Sequence, residues 1–360
     1  MSLESLIRQS RTQKELWRYT PLNAFEIWKL DQAKPANIAG LPQARTAHRI
    51  VFVNGFLDES ATTLHKLPDA LLSFSQKDNI YTLALGGQAC LVMDPVELLF
   101  LYDETKDAQT RTQLAVNLGA NSRLTLLERH KSQSAHKALH ERDLAITLEA
   151  GAKLTHAHVI DEGQKTFHNA QTQITLAQGA FYHGHALMRG GLLNRQMVTA
   201  DLCEPSARAS FSSLILGRAE EHHDITTFVR HKAAHTTSMQ KCRAVLSDNS
   251  CGVFKGTTHL APAAQKTSGH QMARALLLSE NASFDARPEL EIYADDVKCS
   301  HGASTGALDE AALFYLRSRG IPEDEARAML TRAFIQSFLE DGAEPAIMQL
   351  MQEEIASWTC

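Results

Sequence analysis

From about residue 122 onward the chain alternates apolar and polar residues over short runs, and small turn residues break those runs at close intervals. RLTLLERH, LAITLEAGAKL, TQITLAQGAFY, SFSSLILG, KCRAVLSD, GVFKGTTHL and ARALLLS are each strand-length, rich in Ile, Leu, Val and Thr, and bounded by Gly, Asn, Asp or Ser. No helical period crosses them. One echo stands out: ITLEAGA begins at Ile146 and ITLAQGA at Ile174, 28 residues later, and the echo runs on loosely as THAHVI and HGHALM. Such recurrence suggests stacked rungs. Each rung is too small to bury an apolar face alone, and a stack spaced about 4.8 Å apart buries a continuous ladder. A β-sandwich also yields many short strands, and on this pattern alone the two architectures stand level. No six-residue period and no calcium-binding glycine-aspartate repeat is present.

The flanks read differently. Over residues 4–19, ESLIRQSRTQKELWRY has a helical pattern with Leu6, Leu16 and Trp17 as core candidates. HRIVFVNGFLD, residues 48–58, reads as a strand followed by the hairpin signal Asn54-Gly55. PVELLFLYDETKDAQTRTQLAVNLG, from Pro95, reads as helix and connector. After Ser304 the period becomes helical. Thr305 is a candidate N-cap, Asp309 and Glu310 suit a first turn, Arg317 and Arg319 suit a last turn, and Gly320 ends it. A second helix opens at Pro322 with Leu330, Phe334 and Phe338 in one stripe, and PAIMQLMQEEIASW forms a third amphipathic piece. The division is a mixed or helical region over 1–120, a β core over 121–305 and a helical domain over 306–360.

Composition narrows the function classes. The net charge of −5 offers no basic footprint for nucleic acid. The N-terminus lacks an apolar signal core, and the longest apolar run, residues 96–102, is too short to span a bilayer. A cytoplasmic location is the expectation. Cys90, Cys203, Cys242, Cys251, Cys299 and Cys360 form no CxxC pair, which argues against a zinc ribbon or a disulfide framework. There is no GxxxxGK[ST], no GxGxxG after a strand, no GxSxG and no HExxH. Nucleotide hydrolysis, dinucleotide binding and the familiar hydrolase arrangements are therefore not expected.

Two histidine-bearing stretches carry candidate chemistry. EEHHDITTFVRHKAAH holds His222, His223, His231 and His235, but a strand across DITTFV splits them between faces and turns. In LEIYADDVKCSHGAST, Cys299 and His301 are two apart, so an extended backbone points both at one spot, with Asp295 and Asp296 upstream. Thiolate and imidazole suit iron, zinc or an iron–sulfur unit. Two ligands do not close a site. The structural alternative is a buried Cys299 with His301 capping the next helix or bonding a carbonyl.

The unbroken run PELEIYADDVKCSHGA, followed by LDEAALFYLRSRGI, resembles the C-terminal signature of the SufB/SufD family of iron–sulfur cluster assembly proteins. The likeness is strongest from about Ser210 to Leu339 and faint in the N-terminal third. It implies a right-handed parallel β-helix flanked by helices. It also implies pairing with a SufB-like paralogue, or a homodimer, through that β-helix, and docking of the ATPase SufC by the C-terminal helices, with Leu313, Phe314, Leu316, Arg317 and Arg319 as contacts. The subunit would be a non-catalytic scaffold, with ATP hydrolysed in SufC. His301, with Cys299 beside it, would contribute to an interface site completed by another chain. Iron or an iron–sulfur cluster would pass through transiently, with no cofactor held stably by the lone chain. The readings to be separated from this one are a stand-alone metal-binding enzyme on a β-helix, using His223, His231 or His301, and a polysaccharide-binding or polysaccharide-cleaving β-helix.

Overall fold

The computed structural model describes residues 3–20, 22–25, 28–36, 41–64, 72–78, 80–86, 94–103, 105–132, 135–339, 344–356 and 358. In chain order these form helix α1 (Leu3–Thr12) and strands β1 (Asp31–Gln32), β2 (His48–Val53), β3 (Phe56–Leu57), β4 (Leu72–Lys77), β5 (Ile80–Leu85), β6 (Val96–Tyr102), β7 (Ala108–Leu118), β8 (Arg123–Ser132), β9 (Ala138–Leu148) and β10 (Lys153–Glu162). They continue as β11 (Thr166–Leu176), β12 (Phe181–Gly190), β13 (Leu193–Leu202), β14 (Arg208–Gly217), β15 (His222–His231), β16 (Thr237–Leu246), β17 (Cys251–Leu260), β18 (Thr267–Leu277), β19 (Ser283–Ile292) and β20 (Val297–Gly306). Helices α2 (Glu310–Ser318), α3 (Glu323–Leu339) and α4 (Pro345–Ala356) follow.

Successive strands alternate between two sheets. One has the order β19-β17-β15-β13-β11-β9-β7-β5-β4, the other β20-β18-β16-β14-β12-β10-β8-β6-β2-β3. Every pairing from β5 and β6 onward is parallel, so the chain coils as a parallel β-helix of about 7 turns. The sequence echo is one turn of this coil: Ile146 pairs with Ile174 and Leu148 with Leu176. THAHVI and HGHALM pair in register on the opposite sheet, from Thr155 with His183 to Ile160 with Met188.

The turns explain the small residues. Asn121, Gly151, Gly179, Ser206 and His235 all hold positive φ, and each N–H donates to a carbonyl one rung further on. At Gly151, φ is +69° and a Cβ would lie 2.3 Å from Asn121 Oδ1, so glycine holds this corner without strain and without displacing that side chain.

Inside the coil, Leu124, Leu126, Leu144, Ile146, Leu148, Leu154, Ile174 and Leu176 stack as one apolar column. Outside, each sheet has its own cover. Leu6, Trp17, Leu22 and Phe25 pack on Leu139, Phe167 and Leu193 of the first sheet. Arg195 lies under Trp17 with its guanidinium carbon 3.9 Å from the ring centroid, and it pairs with Asp224. The C-terminal helices cover the second sheet, with Ile335, Phe338, Leu339, Ile347, Leu350 and Met351 against Leu187, Leu214, Leu216 and Val245.

Several expectations change. Residues 96–102 and 108–118 are strands β6 and β7, not helix and connector, so the parallel ladder starts upstream of residue 121. The largely apolar stretch at 96–102 is a strand buried on both faces, which periodicity cannot separate from a buried helix. Leu16 is exposed, because α1 stops at Thr12. Thr305 lies within β20, and the cap of α2 is Asp309, whose Oδ1 accepts from the N–H groups of Ala311 and Ala312 at 2.8 and 3.2 Å. The Asn54-Gly55 hairpin is as read, with both residues at positive φ between β2 and β3. No helix among the described residues is long and apolar enough to cross a membrane.

Candidate functional site

The coil ends without a cap. β19 and β20 are the last strands of their sheets, and their outer edges carry backbone N–H and C=O groups that no further rung meets. β20 pairs only inward: Gly269 faces Cys299 and Gln271 faces His301. Gln271 is buried, and its Nε2 donates to Thr258 Oγ1 at 2.7 Å across the interior. Paired residues of a parallel ladder point the same way. Cys299 and His301 therefore share the interior-facing side of the final rung, at its open mouth, while Ser300 turns outward to His270 Nδ1 at 2.7 Å. The i, i+2 spacing thus does what the sequence suggested. Cys299 does not sit buried under a helix, and His301 lies within a strand and caps nothing.

The local environment suits an incomplete site. Cys299 is half-buried, and burial pushes its thiol up from the ordinary value, opposed by a hydrogen bond from the Gly269 N–H. His301 is exposed. Neither residue belongs to a cluster of three or more candidate ligands among the described residues. Asp295 and Asp296 are exposed in the preceding turn, where the Asp296 N–H donates to Gln265 Oε1 at 2.9 Å.

Below the mouth a polar file runs along the axis. Thr227 bonds to Gln240, whose Nε2 reaches Thr258 Oγ1 at 2.8 Å, and Gln271 shares that hydroxyl.

The other histidine stretch does not converge. His222 contacts Thr20, His223 bonds to Asn194 and Glu221, His231 bonds to Thr236 and Ser238, and His235 is a turn corner. Neither His223 nor His231 belongs to a group of three or more candidate metal ligands among the described residues.

The helical end presents a second surface. α2 packs on α3 and leaves its far side open. Leu313 is a core residue of that packing at 3% exposure, so it is not offered to a partner. Phe314 is 75% exposed and Tyr315 56%, with Arg319 stacked against the Tyr315 ring, its guanidinium carbon 5.1 Å from the centroid. Leu316 is half-buried, and Arg317 and Arg319 are exposed. Tyr315 was not among the sequence candidates, although it neighbours Phe314 on the helix. Cys203, Cys242 and Cys251 are free thiols, and Cys90 and Cys360 lie outside the described residues.

An open-ended parallel β-helix with a thiol and an imidazole at its lip, and with a helical appendage carrying exposed aromatics, places the chain in the β-solenoid class. Comparison with known proteins gives the family. Residues 100–334 match the family model described as SUF system FeS cluster assembly, SufBD core domain. The iron–sulfur cluster assembly protein SufD of Escherichia coli K12 is 30% identical over 94% of this chain and 87% of its own length. A SufBD family protein of Synechocystis is 27% identical over 93% of this chain and 84% of its own length. The Bacillus subtilis SufD is 29% identical over 44% of this chain and 37% of its own length. The chain belongs to the SufBD family of iron–sulfur cluster assembly proteins.

Proposed function

We propose that this chain is the non-catalytic scaffold subunit of a Suf-type assembly complex. In this reading the open end of the coil receives a SufB-like paralogue, or a second copy of the chain, edge to edge. His301 and Cys299 then form half of a site that the partner completes, through which iron or a nascent cluster passes. The exposed face of α2, with Phe314, Leu316, Arg317 and Arg319, docks the ATPase SufC, where nucleotide is hydrolysed.

The observation that carries this reading is the placement of Cys299 and His301 on the interior-facing side of a terminal rung whose edge is unpaired. A strand edge is a ready acceptor for another chain by β-augmentation. A thiol and an imidazole at that edge would be enclosed once the partner's rung is added, and an enclosed, water-poor site strengthens metal–thiolate bonding. The absence of a P-loop fits a division of labour in which the fuel is used elsewhere.

The test is His301→Ala in a reconstituted assembly with the paralogue and the ATPase. Cluster formation on the complex should fall while subunit pairing and ATPase docking persist. Undiminished cluster formation would refute the assigned role.

A further inference from the structure

On one side of the coil's interior, next to the apolar column, a second cluster is fully enclosed. Glu128 and His130 of β8, His140 and Arg142 of β9, His156, His158 and Glu162 of β10 and His168 of β11 are all buried. The family reading makes no use of them. Within this layer two triads bring their ligand atoms within 4.8 Å of one another: His130, His158 and His168, and His140, Glu162 and His168.

The first triad is poorly placed for a cation. The Arg142 guanidinium approaches His158 at 3.4 Å, and both nitrogens of His130 are engaged, by Tyr102 at 3.1 Å and by Glu128 at 2.7 Å. The second triad has the opposite electrostatics. Glu162 meets His168 Nδ1 at 2.8 Å and His140 Nδ1 at 3.1 Å, and these are its only ion-pair partners among the described residues. Arg142 already belongs to Glu128, which it grips through Nε at 2.7 Å and through a second nitrogen at 3.2 Å. With neutral imidazoles, Glu162 is thus an enclosed carboxylate without a cation, which is expensive in a low-dielectric interior. His168 Nε2 is also buried without a hydrogen-bond partner, so Glu162 does not satisfy this imidazole fully.

We propose that His140, Glu162 and His168 form a buried site for a divalent first-row transition ion, zinc or ferrous iron. Two imidazoles and one carboxylate are the donor set such ions take, and one ligand atom of each of the three side chains already lies within 4.8 Å of the others, close enough to turn onto one ion. The ion clips three consecutive strands, β9, β10 and β11, and so spans both sheets. Because the donors are sealed from solvent, it enters as the chain folds. Its role is structural.

Cobalt(II) is the probe. The full chain carrying Cys299→Ser and His301→Ala, which removes the surface donors, is unfolded in guanidinium with a chelator and refolded with or without cobalt. Expected are about one retained equivalent per chain after desalting, visible d–d absorption without a thiolate charge-transfer band, and a higher Tm than the metal-free refolded chain. Glu162→Gln in the same background should retain background levels only. Refolding without retained cobalt and with an unchanged Tm would overturn the proposal, because a proton on an imidazole then balances Glu162. Equal retention by Glu162→Gln would overturn it as well. If that variant does not refold, stoichiometry and spectrum of the chain with Glu162 intact decide. Cluster assembly plays no part in the readout, so this proposal and the functional one can fail separately.

Discussion

Glu128→Gln tests whether the polar layer inside the coil behaves as one electrostatic unit. The carboxylate is fully buried and collects Arg142 in a two-nitrogen contact, His130 at 2.7 Å and His156 at 2.9 Å. Burial pushes its acidity down, but Arg142, His158 and the two histidine hydrogen bonds outweigh that and hold the carboxyl well below the usual range. Glutamine keeps the shape and removes the charge. Arg142 is then left with only Gln171 O and Thr172 Oγ1 as hydrogen-bonded oxygens besides the amide. Stripping one partner from a buried pair costs about 3–5 kcal/mol, a large part of a typical total stability. Replacing both, as Glu128→Gln with Arg142→Met, should recover much of the loss, because the uncompensated charge is gone and the methionine refills the space of the arginine stem. Urea melts followed by circular dichroism give the midpoints. A coil of rungs need not unfold in one step, so hydrogen exchange over β8–β11 should localise the effect there. A loss below about 1 kcal/mol, or a double variant whose loss equals the sum of the single losses, would refute the idea of a coupled buried pair.

Acid should weaken the fold through other interior groups. Burial lowers His130 and His231 to about 4. Above about pH 6.5 neither folded nor unfolded chain protonates them; below it the unfolded chain takes up protons first, so stability falls by about 1.4 kcal/mol per pH unit for each, or about 2 kcal/mol each by pH 5. Urea midpoints that are flat between pH 7.5 and 5 would contradict this. Phe338→Ala, at a site 2% exposed between α3 and the second sheet, should cost about 3–5 kcal/mol, read from thermal and urea unfolding. Phe314→Ser should leave helix content unchanged and weaken ATPase docking, whereas Leu313→Ser should reduce the helical signal itself; circular dichroism and a pull-down with the ATPase separate the two.

The coil was legible where neighbouring rungs carry the same residues in register. ITLEAGA and ITLAQGA advertise a turn of 28 because both copies place Ile, Leu and Gly at equivalent corners. Elsewhere the turn length drifts: Leu193 pairs with His222 and Cys251 with Ser283, so no fixed period survives for the eye. Residues 96–118 were missed because VELLFLY is buried on both faces and lacks the alternation that identifies a strand. The shared orientation of Cys299 and His301 was legible from spacing, since a strand preserves i, i+2, whereas a role for them came only from the family resemblance. The interior cluster was not, because its members come from four strands of two sheets. One signal was available: His140 and His168 are paired one turn apart, at the same offset as the echo. Leu313 and Phe314 are equally apolar in sequence, and only the packing of α2 on α3 says which is core and which is surface.

The two candidate contact surfaces are mechanically close. α3 packs on β14 and β16, and the ladder continues β16, β18, β20. From β14 to β20 is three rung steps, about 15 Å at the usual strand spacing. Across that distance every rung is tied to the next by a full ladder of hydrogen bonds and by stacked side chains such as Ala244 and Ala275. Such a ladder does not bend locally. α4 adds a second anchor, with Glu354 buried between Arg129 and Arg189 and tied to both. A force applied at α2 therefore reaches the open mouth as a rotation of the whole coil rather than as a rearrangement inside it. In the proposed pairing, opening of a site at Cys299 and His301 would therefore occur where the ladder is interrupted, beyond the outer edge of β20.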